Sequence, residues 1–179
     1  MGSVMSVELS SVGILTNRKD VVANYVINAF SIFLPLIGMV AGLLILSASS
    51  PTVVTVTIFL VFFLLNVLGT AIGLHRYFTH RSFETSSFFR LLLGIWGSWA
   101  MQGPIDRWVA DHRRHHRYSD QPLDVHSPYW NNQQPIVNRF LQFAHAHVLW
   151  MFVGLPTDKR HYAKDVLSDS ISRGCSQWY

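Results

Sequence analysis

A chain of 179 residues is the size of one ordinary domain, yet only 13% of it is charged and 50% is hydrophobic, with a mean hydropathy of +0.25. Soluble domains carry roughly 25% charged residues, so this composition excludes disorder, collagen-like repeats and an ordinary water-soluble globule. The one cysteine, Cys175, excludes an intramolecular disulfide framework and a cysteine-rich zinc module, and the net charge of +4 has to be judged by where the charges lie.

Residues 1–20 read as a cytosolic N-terminal segment. Met1-Gly2 with Ser6 matches the bare myristoylation pattern, although an acyl anchor adds little to a chain that spans the bilayer. From Val21 to Leu74 no residue is Asp, Glu, Lys or Arg; Arg18 and Lys19 precede that tract and the remaining basic residues follow it. A nucleic-acid binder interleaves its basic residues over one face. Here an apolar block is separated from a basic one, so residues 21–74 are read as membrane and no nucleic-acid partner is expected.

The apolar tract divides at Ser47-Ala48-Ser49-Ser50-Pro51, a turn built of small polar residues and a proline that cannot continue a helix. Its halves, about 26–46 and 52–73, each approach the roughly 20 residues that a helix needs to cross a hydrocarbon core of about 30 Å. Pro35 is tolerated in the first, because neighbouring helices can re-satisfy the carbonyl it frees. The connecting turn carries no positive charge, whereas Arg18 and Lys19 flank one side and Arg76, Arg81 and Arg90 the other. The positive-inside rule then places both flanks in the cytosol. A secretory signal peptide does not fit, since the first run starts late and is too long for an h-region.

Residues 75–169 read as a cytosolic and interfacial helical cap. Phe88–Met101 is apolar but too short to span. Phe140–Leu155 is similar, with His145 and His147 inside it, and Trp96, Trp99, Trp108, Trp130 and Trp150 fit a membrane–water boundary. Residues 170–179 form a divergent tail without the character of a membrane-helix entry.

Nine histidines occur, and five of them fall in two clusters: His75-Arg-Tyr-Phe-Thr-His80 at the end of the second span, and His112-Arg-Arg-His115-His116 in the polar stretch. On a helix, residues three and four apart share a face, so His112, His115 and His116 can present imidazoles to one point. His75 and His80 are five apart, about 140° out of phase on a regular α-helix. They would converge across a frayed helix end, or serve different ions. Imidazole donors favour a transition metal over Mg or Ca, and Asp111 is a candidate outer carboxylate that fixes an imidazole tautomer. Taken alone, the arginine-rich HRRHHR run would serve equally as a phosphate- or lipid-headgroup patch. Both clusters lying at the mouth of one hairpin favours metal.

Gly73-Leu-His75-Arg-Tyr-Phe-Thr-His80-Arg-Ser-Phe83 resembles the first histidine box of the membrane fatty-acid desaturases, and Trp108-Val-Ala-Asp111-His112-Arg-Arg-His115-His116-Arg-Tyr-Ser119-Asp120 resembles the second. The spelling is closest to the acyl-CoA Δ9 (stearoyl-CoA) desaturase branch. Asp124-Val-His126-Ser-Pro128 and His145-Ala-His147-Val-Leu-Trp150 are further points of similarity, and the resemblance runs from about Tyr25 to about Ser168.

That resemblance implies an all-α membrane protein, with membrane helices under a cytosolic cap that holds a histidine-ligated di-iron centre. It implies an oxidoreductase that uses O2 and two electrons to place a cis double bond in a fatty-acyl chain. It assigns His75, His80, His112, His115 and His116 as metal ligands, with Asp111 and His126 behind them. Gln102 and Trp108 would sit at the bend of an acyl tunnel lined by Phe88, Leu91 to Leu93, Trp96, Trp99 and Met101. Arg113, with Arg107, is a candidate for the carrier's phosphates. The substrate is expected to be an acyl-CoA or acyl-lipid chain. Electrons would come from cytochrome b5 at the endoplasmic reticulum, or from ferredoxin in a plastid or a bacterial inner membrane, with the basic cap docking the acidic donor.

Two departures stand out. The third box of the family, His-x-x-His-His, has no counterpart after His161, which reads as the front half of a desaturase that does not desaturate by itself. Ala110 stands where animal acyl-CoA enzymes often carry arginine, which leaves the acyl carrier open. Other readings are a histidine-box hydroxylase or alkane monooxygenase, and a non-catalytic membrane protein that binds one metal.

Overall fold

The computed structural model describes residues 8–129 and 137–177. Trp130 and the Met1-Gly2 motif therefore lie outside the described residues. Every named element is helical, and pairing of extended backbone among the described residues is limited to a single bridge between Ile14 and Thr157.

Helix α1 (Arg18–Ala48) starts at Asn17, whose side chain accepts the Asp20 N–H, and runs through Pro35 to the turn before Pro51. Helix α2 (Val53–Leu68) is capped by Thr52, which accepts the Thr55 N–H, and passes directly into a π-helical segment, π1 (Gly69–Thr79). Helix α1 and the continuous helix formed by α2 and π1 (Val53–Thr79) are each long and apolar enough to cross a membrane. Leu43, Leu44, Ile45, Phe59, Phe62 and Phe63 lie more than half exposed, so the chain leaves these side chains to a lipid environment. At about 1.5 Å per residue, α1 is about 46 Å long and exceeds the hydrocarbon thickness. Its first turns serve the cap instead: Asn24 and Asn28 are buried, and the Asn28 side chain meets the Met151 carbonyl and the Arg107 guanidinium.

The cap consists of α3 (Ser87–Trp99), α4 (Ile105–Arg117), α5 (Val137–Ala144), a second π-helical turn π2 (His145–Leu149), and α6 (Trp150–Val153). Three short helices follow: α7 (Lys159–Tyr162), α8 (Lys164–Ser168) and α9 (Ser170–Ser176). Leu74, Ile105, Val109, Ala110 and Ala163 are fully buried and form its core with Val166 and Tyr162. Ala110 thus faces the interior and is out of reach of a solvent-borne acyl carrier.

Helix α3 lies unusually close to π1. A Cβ on Gly69 would stand 2.3 Å from the Trp96 carbonyl, and one on Gly73 would stand 2.8 Å from the Leu93 carbonyl oxygen. Glycine at both positions lets the two backbones touch, which anchors the segment that carries His75. The tail also folds back: α9 is capped by Asp169 and tucks Cys175 against Gly94.

Candidate metal centre

Residues five apart cannot share a face of an α-helix, yet the His75 and His80 rings are 4.6 Å apart. The cause is the winding of π1. The His80 N–H donates to the His75 carbonyl at 3.1 Å, an i→i+5 bond that stacks residues five apart one above the other. The Thr79 hydroxyl makes the same step back to the Leu74 carbonyl at 2.8 Å. Such π segments are rare and concentrate at functional sites. The expected frayed end is therefore an ordered π-helical turn.

Helix α4 winds regularly, which divides its histidines. His112 and His116, four apart, bring their Nε2 atoms to 3.0 Å. His75 lies 4.8 Å from His112 and His80 lies 4.8 Å from His116, ring to ring, closing a square of four imidazoles whose ligand atoms all lie within 4.8 Å of one another. His115 projects elsewhere and groups with Asp124 and His126. Its ring stacks on His126 at 4.1 Å and stands 5.5 Å from His116 and 6.0 Å from His112, so the two groups adjoin.

The donor set suits a metal. Burial, followed by the charges of His116, His75, His80 and His115, pushes the His112 imidazole down to about 3, so it is neutral at pH 7. Two nitrogens at about 2.1 Å from one ion and at right angles to it are about 3.0 Å apart, which is the His112–His116 spacing. Trp108 stacks on His112 at 4.7 Å and seals one side.

Other residues singled out by the sequence fall differently. The Asp111 carboxylate accepts from the Thr157 hydroxyl and lies 3.6 Å from Arg107. The carboxylate on a ring nitrogen is that of Asp124, whose Oδ1 lies 2.8 Å from His115 Nδ1. Sequence reading passed over Asp124, although its place two residues before His126 in a quoted motif was the available signal. Arg113 is not free for phosphate: it donates to the Phe78, Thr79 and Tyr162 carbonyls and to both oxygens of Asp165, because α7 and α8 fold back over it. Arg114 is equally engaged, with the Leu123 and Leu155 carbonyls and Thr157. Of the HRRHHR run, Arg117 is the exposed arginine, which leaves little of a basic headgroup patch.

Gln102 and Trp108 do meet. The Trp108 indole N–H donates to Gln102 Oε1 at 2.9 Å, and both line a cavity of about 220 Å³ with His112, His126, Arg107 and Met101. Met101 also borders a larger apolar cavity of about 1010 Å³ with Leu91, Trp99, Phe30 and Phe62. Of the other residues expected to line a tunnel, Phe88 is exposed, whereas Leu93 is in the cap core and Trp96 packs against it. His147 turns back to the Phe143 carbonyl and His161 lies against Tyr162, both away from the square. His145 is buried and lines a separate cavity with Asp124.

The family model for fatty acid desaturases matches residues 48–171. The chain belongs to the fatty acid desaturase family. Among curated relatives, the chain is 36% identical to the hex-5-enoyl-[acyl-carrier protein] acetylenase of Moorena producens (strain JHB) over 152 residues, covering 81% of this chain and 47% of that protein. It is 30% identical to human stearoyl-CoA desaturase 5 over 148 residues, covering 80% and 41%. With the sn-1 stearoyl-lipid 9-desaturase of Synechocystis sp. it shares 31% identity over 119 residues, covering 65% and 34%. The chain thus spans less than half the length of these relatives. No solved structure matches it.

Proposed function

We propose that this protein carries the metal site of an O2-dependent fatty-acyl desaturase, and that its metal is iron. The observation that carries the reading is the square of His75, His80, His112 and His116, of which His112 also lines the cavity of Gln102 and Trp108. Four imidazole nitrogen donors with no carboxylate among them favour a borderline transition metal over Mg or Ca. His115, whose Nδ1 faces Asp124, keeps Nε2 for a second ion beside the first, in a di-iron arrangement. Bound iron would supply the activation of O2 that removes hydrogen from an unactivated methylene.

The chain's own residues do the rest. The two apolar cavities that share Met101 hold the acyl chain, and the Trp108–Gln102 hydrogen bond fixes the wall where that chain passes His112. Trp108, covering His112, keeps bulk water from the reacting carbons. The named relatives act on acyl-CoA, acyl-lipid and acyl-carrier-protein chains, and a cis-Δ9 double bond in a long acyl chain is the reaction expected of the desaturase to which this site belongs. Electrons would come from a cytochrome b5- or ferredoxin-type donor on the cytosolic face.

Metal analysis of the chain purified in detergent tests the reading. Iron bound by the unaltered protein and lost in H112A supports it. A chain that binds no iron, or that binds it equally in H112A, would overturn it.

A further inference from the structure

We infer that Asp124 is the positioning residue for His115, holding the ring proton on Nδ1 and so directing the Nε2 lone pair toward the second ion; this rests on the reading of His115 as a ligand. The Asp124 side chain is fully buried, at 0% exposure. Its Oδ1 receives His115 Nδ1 at 2.8 Å and the His126 N–H at 3.1 Å, and its Oδ2 receives the Asp120 N–H at 3.0 Å. Both Asp124 oxygens already act as acceptors for backbone N–H groups, so this side chain meets His115 as an acceptor and the shared hydrogen belongs to the ring. A neutral imidazole with its proton on Nδ1 has its lone pair on Nε2.

The surrounding loop is built to deliver this carboxylate. Asp120 sits at φ +59°, in the left-handed region, and that conformation aims its N–H at Asp124. Ser127 closes the loop by donating its hydroxyl to Asp120 Oδ1 at 3.1 Å. The result returns a buried carboxyl group to a ring that precedes it by nine residues, on α4. His126, stacked at 24° to His115, covers one ring face and removes the remaining freedom. Among the described residues, none of the other four box histidines has a carboxylate on its ring; His112 and His116 are partnered with each other.

The test uses the 15N-histidine-labelled full chain in detergent. Long-range 1H–15N correlations of the metal-free protein should show His115 protonated on Nδ1, and D124N should shift it toward the Nε2–H form. In Co(II) titrations, the binding step that H115A abolishes should weaken about 10- to 100-fold in D124N. The step that H112A abolishes should move by less than about twofold, as expected for a change confined to the other group. A wild-type His115 protonated on Nε2 overturns the inference, and it decides the matter alone should D124N not fold. A Co(II) step lost in H115A but unchanged in D124N removes the role of Asp124 while leaving His115 a ligand. A titration that H115A leaves unaltered removes the ligand reading and this inference together.

Discussion

In π1 two histidines stand five residues apart and face one another; in α4 three histidines fall within five residues, and one of them faces away from the other two. The i→i+5 bond from His80 to His75 turns a spacing that an α-helix would scatter into a pair of rings 4.6 Å apart. The regular winding of α4 selects the four-apart pair, His112 and His116, and sends His115 to Asp124 and His126. Matched spacing and winding therefore assign four imidazoles to one group and the fifth to a neighbouring one. A histidine count alone would pool all five.

The comparison can be broken most severely at the square. H112A or H116A removes one of four converging donors. Metal affinity measured by competitive chelator titration should then fall by more than the roughly 10- to 100-fold that loss of an outer partner costs. A loss below tenfold would mean that the four rings do not act together.

Winding is tested next. Inserting one alanine after Arg76 makes the spacing six, which neither i→i+4 nor i→i+5 winding brings to one side. Affinity should fall by about as much as in the H75A/H80A double variant, while helical content by circular dichroism is retained. Unchanged affinity would show that the π turn is incidental.

Packing against π1 comes third. G73A places a Cβ 2.8 Å from the Leu93 carbonyl oxygen, a backbone atom with little room to yield. Overpacking of this kind costs about 1–3 kcal/mol, to be read as a lowered thermal midpoint in detergent. Gly38, which meets no atom within 4 Å, is the control position and should show no loss from packing as alanine.

The smallest effect concerns the clamp over Arg113. Burial pushes the Asp165 carboxyl up, but Arg113 and then Arg81 outweigh it and hold the group well below the ordinary carboxylate range. Because the folded value is the lower one, the stabilisation is present above the unfolded value of about 3.9 and is lost as pH falls below it. D165N should lower the midpoint modestly at pH 7, and its stability should decline less than the wild type's between about pH 4 and pH 2. Parallel declines would mean that another group sets the acid limb.

The hairpin was legible because a tract without formal charge has few alternatives to a membrane, and Pro51 with its serines marks the turn. The boxes were legible because imidazole clusters are rare. What the sequence concealed depends on contacts distant along the chain. Arg113 and Arg114 look like a solvent-facing basic run until α7 and α8 fold back over Arg113 and the Leu123 and Leu155 carbonyls meet Arg114. Asp111, beside the box, was the nearer carboxylate in sequence, yet the side chain at position 111 points to Thr157, and a loop brings Asp124 to His115 instead. The phase of His75 and His80 was likewise hidden, since periodicity arguments assume α winding. Asn24 lies just before the span expected at about 26–46 and Asn28 lies inside it, and their burial against the cap shows that the first turns of α1 stand beside protein.

The claim beneath all of this is that His75, His80, His112 and His116 hold one ion together. X-ray absorption at the metal edge of the chain loaded with one equivalent of Co(II) measures it directly. The arrangement predicts a shell of four imidazole nitrogens at about 2.0–2.1 Å with the outer scattering of the rings, reduced to three in H116A. A shell dominated by oxygen, or one that H116A leaves unchanged, would contradict it.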